Sequence, residues 1–422
     1  MGFVNHLLFL CVLCVPCASV RAYFQKCFRR HIKVCITIIF LVFVANGVIA
    51  QEPVLLAYQQ NFIRSSLEAK AGVLLDAAAD DRANDSIGPL YNFALDFAVK
   101  NAEYLGDDPH LINIAVLAAQ GVGKIGYRES VDSLLEIFTE YRNSMVRVEV
   151  INSLEILGKG NARVRAYLNQ YLADQNKLQR SRMNVDYPAV SACINALEFL
   201  GGSFSPLFGV MVLDYPDEIK IKARAAMESL PGDLRQFLTE VIMRNSPAEK
   251  LYAFRIGTSS NRFSTVEQGQ LAEKAIEQAL DYPPADIVEE ALLADLGHEA
   301  VLCLSRLQWS RANSLVIRYF YRIQGDYLKG NVFKERLVQA ITCLGAMRTS
   351  EAAAAAGIQL ALINAQTEKT GAYDEAITLA LIKALGTIGD KSAFDHLLYI
   401  NYLPYSDNIE AAAKEALESL RW

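Results

Sequence analysis

From Gln51 onward, apolar side chains return every three or four residues for most of the length, and no sustained run alternates apolar and polar in the way a half-buried strand does. A chain patterned in this way buries its apolar stripes by packing helix against helix, so the expected fold is all-α. The chain has 422 residues, 52% hydrophobic and 21% charged, which is too apolar for a disordered protein and enough for a large core.

The clearest unit lies at 376–398. A helix carrying Ile377, Ala380, Leu381 and Ala384 meets Gly386-Thr387-Ile388-Gly389-Asp390, and a second helix opens at Ser392. Gly386 permits close helix approach or a helix end. Gly389 can take the left-handed conformation that stops a helix, Asp390 can accept from orphan amides, and Ile388 points inward. Similar junctions occur at 112–135, with Gly123-Lys124-Ile125-Gly126, and at 337–352, with Leu344-Gly345. Looser echoes follow Leu157-Gly158 and Leu200-Gly201. Spacings of 35 residues from Gly123 to Gly158 and 41 from Gly345 to Gly386 suit one helical hairpin each.

On the alanine-rich helix ending Ala384-Leu385-Gly386-Thr387-Ile388-Gly389-Asp390, with Ala393 in the next helix, the chain resembles the HEAT repeat family and its bacterial HEAT-like branch. The resemblance implies an α-solenoid of stacked antiparallel helix pairs, a HEAT-like superhelix, whose concave face or projecting loops hold another protein. The organisation expected is a leader at 1–50, an N-terminal helical capping region at 51–106 and HEAT-like repeats at 107–202. Degenerate helical repeats or a helical insert follow at 203–330, then C-terminal HEAT-like repeats with a closing helix at 331–422. In 203–330, helices are expected at 219–229, 234–243, 266–280 and 287–296, punctuated by Pro231, Pro247 and Pro283-Pro284. The polar stretches 175–186 and 257–264 read as exposed loops. The closing helix places Ile409, Ala412, Ala416 and Leu420 on one side.

The first fifty residues contain five Lys or Arg and no acid. Arg29-Arg30-His31-Ile32-Lys33, the apolar run 35–44 and the small residues before Gln51 have the layout of a secretory signal peptide cut after Ala50. The 16 residues from Cys35 to Ala50 are short for a membrane span. An exported, periplasmic location is therefore expected, with inner-membrane tethering through an uncleaved leader as the alternative. A second apolar stretch at 7–20 is either a membrane element of its own or lies before the true start. Five of eight cysteines fall in this leader, and the remaining three, Cys193, Cys303 and Cys343, read as core residues. Of 41 basic residues 36 lie beyond the leader against 47 acidic ones, a formal charge of −11. A body so acidic repels a phosphate backbone and argues against nucleic acid as a partner.

No catalytic or metal constellation stands out, and no cofactor is expected. His110, His298 and His396 are far apart in sequence, with no HExxH or GxSxG. Asp107-Asp108-Pro109-His110 reads as a helix start, and Gly121-Val122-Gly123-Lys124-Ile125-Gly126 as an inter-helix turn. The resemblance also admits an enzyme, since HEAT-like relatives include bilin lyases and DNA glycosylases; export and acidity count against the latter. The most unusual stretch is 309–329, whose Trp309, Arg311, Arg318, Tyr319, Tyr321, Arg322 and Tyr327 form a mixture enriched at binding hot spots. The alternative is that its aromatics pack on neighbouring repeats while its arginines are solvated or paired to nearby acids.

Overall fold

The computed structural model describes residues 53–80 and 86–421. The leader, signal peptide and cleavage point expected from the sequence lie outside the described residues, as do the five cysteines before Gln51. Among the described residues there are twenty α-helices, with no β structure beyond one isolated bridge, where the Arg421 amide donates to the Gly389 carbonyl at 2.9 Å. The chain forms two compact units, one ending at Val146 and the other beginning at Arg147.

The first unit contains α1 (Pro53–Arg64), α2 (Leu67–Ala79), α3 (Gly88–Leu105), α4 (Pro109–Ile125) and α5 (Val131–Glu140). Fully buried Phe62 meets the rings of Phe93 and Phe97 edge-on at 5.9 and 5.7 Å, fixing α1 against α3. Asp108 accepts from the His110 amide at 2.8 Å and Pro109 opens α4, the helix start expected from Asp-Pro. The glycine run at 121–126 is not a turn: α4 continues through it, and only Gly126, at φ 78°, leaves the helix. Gly121 is where the Tyr91 ring crosses, since a Cβ there would lie 2.5 Å from it.

α6 (Ser144–Leu157) spans the boundary. The second unit continues with α7 (Ala162–Arg180), α8 (Tyr187–Leu200), α9 (Phe204–Val212), α10 (Asp217–Ser229), α11 (Leu234–Arg244), α12 (Pro247–Ser259), α13 (Thr265–Asp281) and α14 (Ile287–Leu307). It ends with α15 (Asn313–Leu328), α16 (Lys334–Met347), α17 (Ser350–Thr370), α18 (Glu375–Ile388), α19 (Phe394–Tyr399) and α20 (Asp407–Glu418). These helices pack chiefly on the next and the next but one. From α11 onward this gives two rows, α12-α14-α16-α18-α20 and α11-α13-α15-α17-α19. The packing is that of an all-α helical-repeat stack.

The even row closes on small residues. A Cβ on Gly345 in α16 would lie 3.0 Å from the Ala384 Cα of α18, and one on Gly386 in α18 would lie 3.0 Å from the Ala416 Cβ of α20. These glycines serve close approach, while the helices end later, at Arg348 and at Gly389 with φ 54° and 70°. Asp390 accepts from the Ser392 amide at 2.9 Å and Ile388 is buried, as the sequence indicates.

Two polar stretches differ from expectation. α7 runs to Arg180, so 175–180 is helix, because Gln, Lys, Leu and Arg are good helix formers whatever their polarity. Buried Gln175 accepts from the Asp186 amide at 3.1 Å and closes the true loop, 181–186, which turns at Arg182 with φ 53°. Likewise α12 extends to Ser259, leaving a loop of 260–264. In α20 the buried position is Ala413 rather than Ala412. Cys193, Cys303 and Cys343 are free and buried, and burial pushes their thiols up.

Candidate functional site: a cleft between α14, α15 and α16

α15 buries Val316, Tyr319, Phe320 and Ile323, a three-and-four spacing that turns one face inward. Tyr319 slides onto α14 where Gly297 leaves room: a Cβ there would lie 2.8 Å from the phenol ring. The side chain is among those lining a cleft of about 580 Å³ formed by α14, α15, the 329–333 loop, α16 and Ala279 of α13. Tyr319 is 3% exposed, yet among the described residues its hydroxyl meets no hydrogen-bond partner. Burial raises its pKa above the usual phenol range despite Arg336 and Arg322 nearby, so the group is a neutral phenol able to donate or accept.

Around it, Arg336 of α16 pairs with Asp295 of α14 at 2.5 Å. Arg322 donates to the Ala279 carbonyl at 3.1 Å. Glu290 and Asp326 line the same cleft, and neither is in an ion pair among the described residues. Two exposed apolar side chains line the cleft as well: Ile287 opens α14 and is 80% exposed, and Phe333 immediately precedes α16 at 84%. Asp286 starts α14 by accepting from the Val288 and Glu289 amides at 2.9 and 2.8 Å, and Gly330, at φ 78°, turns the chain from α15 toward α16.

The aromatic and arginine residues of 309–329 do not form one surface. The Trp309 indole lies over Gly269 of α13, where a Cβ would be 2.6 Å from the ring, and donates to Glu273 at 3.1 Å. Arg311 reaches the same Glu273 at 3.4 Å, and Arg318 pairs with Asp281 at 2.5 Å. With Arg322 on the Ala279 carbonyl, these side chains hold α15 and its preceding turn to α13. Tyr321 is 45% exposed with its ring 5.2 Å from that of Phe320, and Tyr327 is half-buried near the end of α15. Only Tyr319 and Arg322 of the seven line the cleft. The partners that sequence reasoning missed are Ile287, Phe333, Asp295 and Arg336. Their signal is faint: a large apolar residue directly beside a helix start, flanking a polar loop.

On α14, Asp295, His298 and Glu299 share a face, and both carboxylates are engaged, Asp295 by Arg336 and Glu299 by Arg255 at 2.6 Å. Burial, with Arg336 adding to it, lowers the His298 pKa and leaves a neutral imidazole. Among the described residues, no three His, Cys, Asp or Glu side chains come together as a metal site, and no helix is long and apolar enough to cross a membrane. The cleft offers shape, apolar contact and hydrogen bonding.

The fold and cleft define an all-α helical-repeat protein with a ligand-sized recess between successive helices. No family model matches the chain, and no curated protein matches it in sequence.

Proposed function

We propose that this chain is a non-catalytic helical-repeat scaffold of HEAT-like type that holds another protein, with the α14-α15-α16 cleft as part of the holding surface. The observation that carries the reading is the pair Ile287 and Phe333, 80% and 84% exposed, which line one cleft with Tyr319, whose buried hydroxyl has no hydrogen-bond partner among the described residues. Exposed apolar groups beside a recess are what a partner would cover, at roughly 25 cal/mol per Å² removed from water. The 1–50 leader supports an exported, periplasmic setting in a bacterium. Its second apolar stretch at 7–20 supports, as the alternative, an assembly factor tethered to the inner membrane.

A photoreactive amino acid at Phe333 in the protein expressed in its own cells tests this, with the mature N-terminus read by mass spectrometry. A single protein crosslinked at stoichiometric yield, on a chain beginning at Gln51, is the expected result. A small molecule in place of a protein, or no crosslink, sinks the reading, and an intact leader shifts it to the tethered form.

A further inference from the structure

We propose that the α14-α15-α16 cleft receives a basic side chain, lysine or arginine, presented by an apolar stretch of the partner protein. This rests on the scaffold reading and gives the chemistry of what is held. Arg336 is paired with Asp295 at 2.5 Å, while Arg322 donates to the Ala279 carbonyl at 3.1 Å, a neutral partner that leaves its charge in place. Glu290 and Asp326 are in no ion pair among the described residues. Two carboxylates against one uncompensated guanidinium leave the cleft one charge negative, and an anionic ligand would face both carboxylates and have to take Arg322 from its carbonyl or Arg336 from Asp295.

A lysine or arginine side chain meets the opposite situation. Its stem can lie along Ile287 and Phe333 while its head reaches the carboxylates. The Tyr319 hydroxyl, 97% buried and without a protein partner, can then accept from it. A protein supplies such a side chain better than a small cation does, because the cleft is open and its apolar rim needs covering along with its charges. The acidic body would also steer a basic partner toward contact.

The test uses the full chain and three fluorescein-labelled nine-residue peptides, leucine-rich with two central lysines, two central glutamates or two central norleucines, followed by anisotropy. The lysine peptide is expected to bind best. Combining Glu290→Gln with Asp326→Asn should weaken it roughly threefold to tenfold, the range for two partly exposed charges, leaving the norleucine peptide unmoved. Tyr319→Phe, which removes only the hydroxyl, should weaken the lysine peptide alone. Equal binding of all three peptides, preference for glutamate, binding of none, or indifference to the carboxylate variants overturns the inference. A protein crosslinked at Phe333 through a segment without basic residues would overturn it too while leaving the scaffold reading intact.

Discussion

The Lys250 ammonium donates to the carbonyl of Ile242, eight residues earlier, at 2.5 Å, and so caps the end of α11 from inside α12. It donates also to Gln278 Oε1 at 2.9 Å, lies 4.7 Å from the centre of the Tyr282 ring, and is fully buried. Lys70 repeats the arrangement in the first unit, donating to the Phe62 carbonyl across the α1-α2 turn with the Phe62 ring 4.6 Å away.

Lys250→Met keeps the apolar stem and removes the donor, leaving the Ile242 carbonyl and the Gln278 side chain without it. A loss of about 1–3 kcal/mol is expected in urea unfolding, the cost of stranding buried polar groups. Burial lowers the pKa of Lys250. Below 10.5 and above its folded value the unfolded chain then holds the extra proton, so this residue makes stability rise with pH across that window. The methionine variant should lose that slope.

Tyr141 gives the opposite dependence. It is buried, donates to the Ala98 carbonyl at 3.1 Å, and is pushed up to about 12 by burial. Its contribution is whole below the unfolded phenol value near 10 and drains away as pH rises through 12. Thermal melts from pH 9 to 12 should show a falling melting temperature that Tyr141→Phe makes shallower.

Gly269→Ala pushes a methyl into the Trp309 indole, a rigid ring with no cheap way aside. Destabilisation of about 1–3 kcal/mol is expected, as for overpacked cores. The chain has two tryptophans, Trp309 and Trp422, so a red-shifted emission that Trp422→Phe leaves in place would report the displaced indole directly.

Tyr319→Phe should leave the free protein unchanged or more stable by about 1 kcal/mol, because a buried hydroxyl without a partner costs folding free energy. Clear destabilisation in chemical unfolding would mean that the hydroxyl is satisfied within the fold.

The helices were legible because their stripes are regular: the segments expected from Ile219, Leu234 and Val266 begin within two residues of α10, α11 and α13. Glycine was harder. Gly345 and Gly386 mark the period correctly, yet a bare glycine does not disclose whether it ends a helix or admits another, which depends on Ala384 and Ala416 some thirty to forty residues away. The stretch 309–329 stood out by composition, but composition does not say that Glu273 and Asp281 of α13 occupy its arginines. The lysine caps went unread although 62–70 (FIRSSLEAK) and 242–250 (IMRNSPAEK) share their Arg, Ser and Lys at matching places. A lysine in a helical pattern looks solvated until the preceding helix end is seen to need it.

Packing on the next helix and the next but one keeps the second unit's contacts short-range along the chain. Loops that small close at little entropic cost, so low contact order and rapid, piecewise folding follow. A chain emerging N-terminus first, from a ribosome or a translocation pore, can set each pair of helices onto the last without waiting for its end. Its final helix has only to dock onto a surface already built.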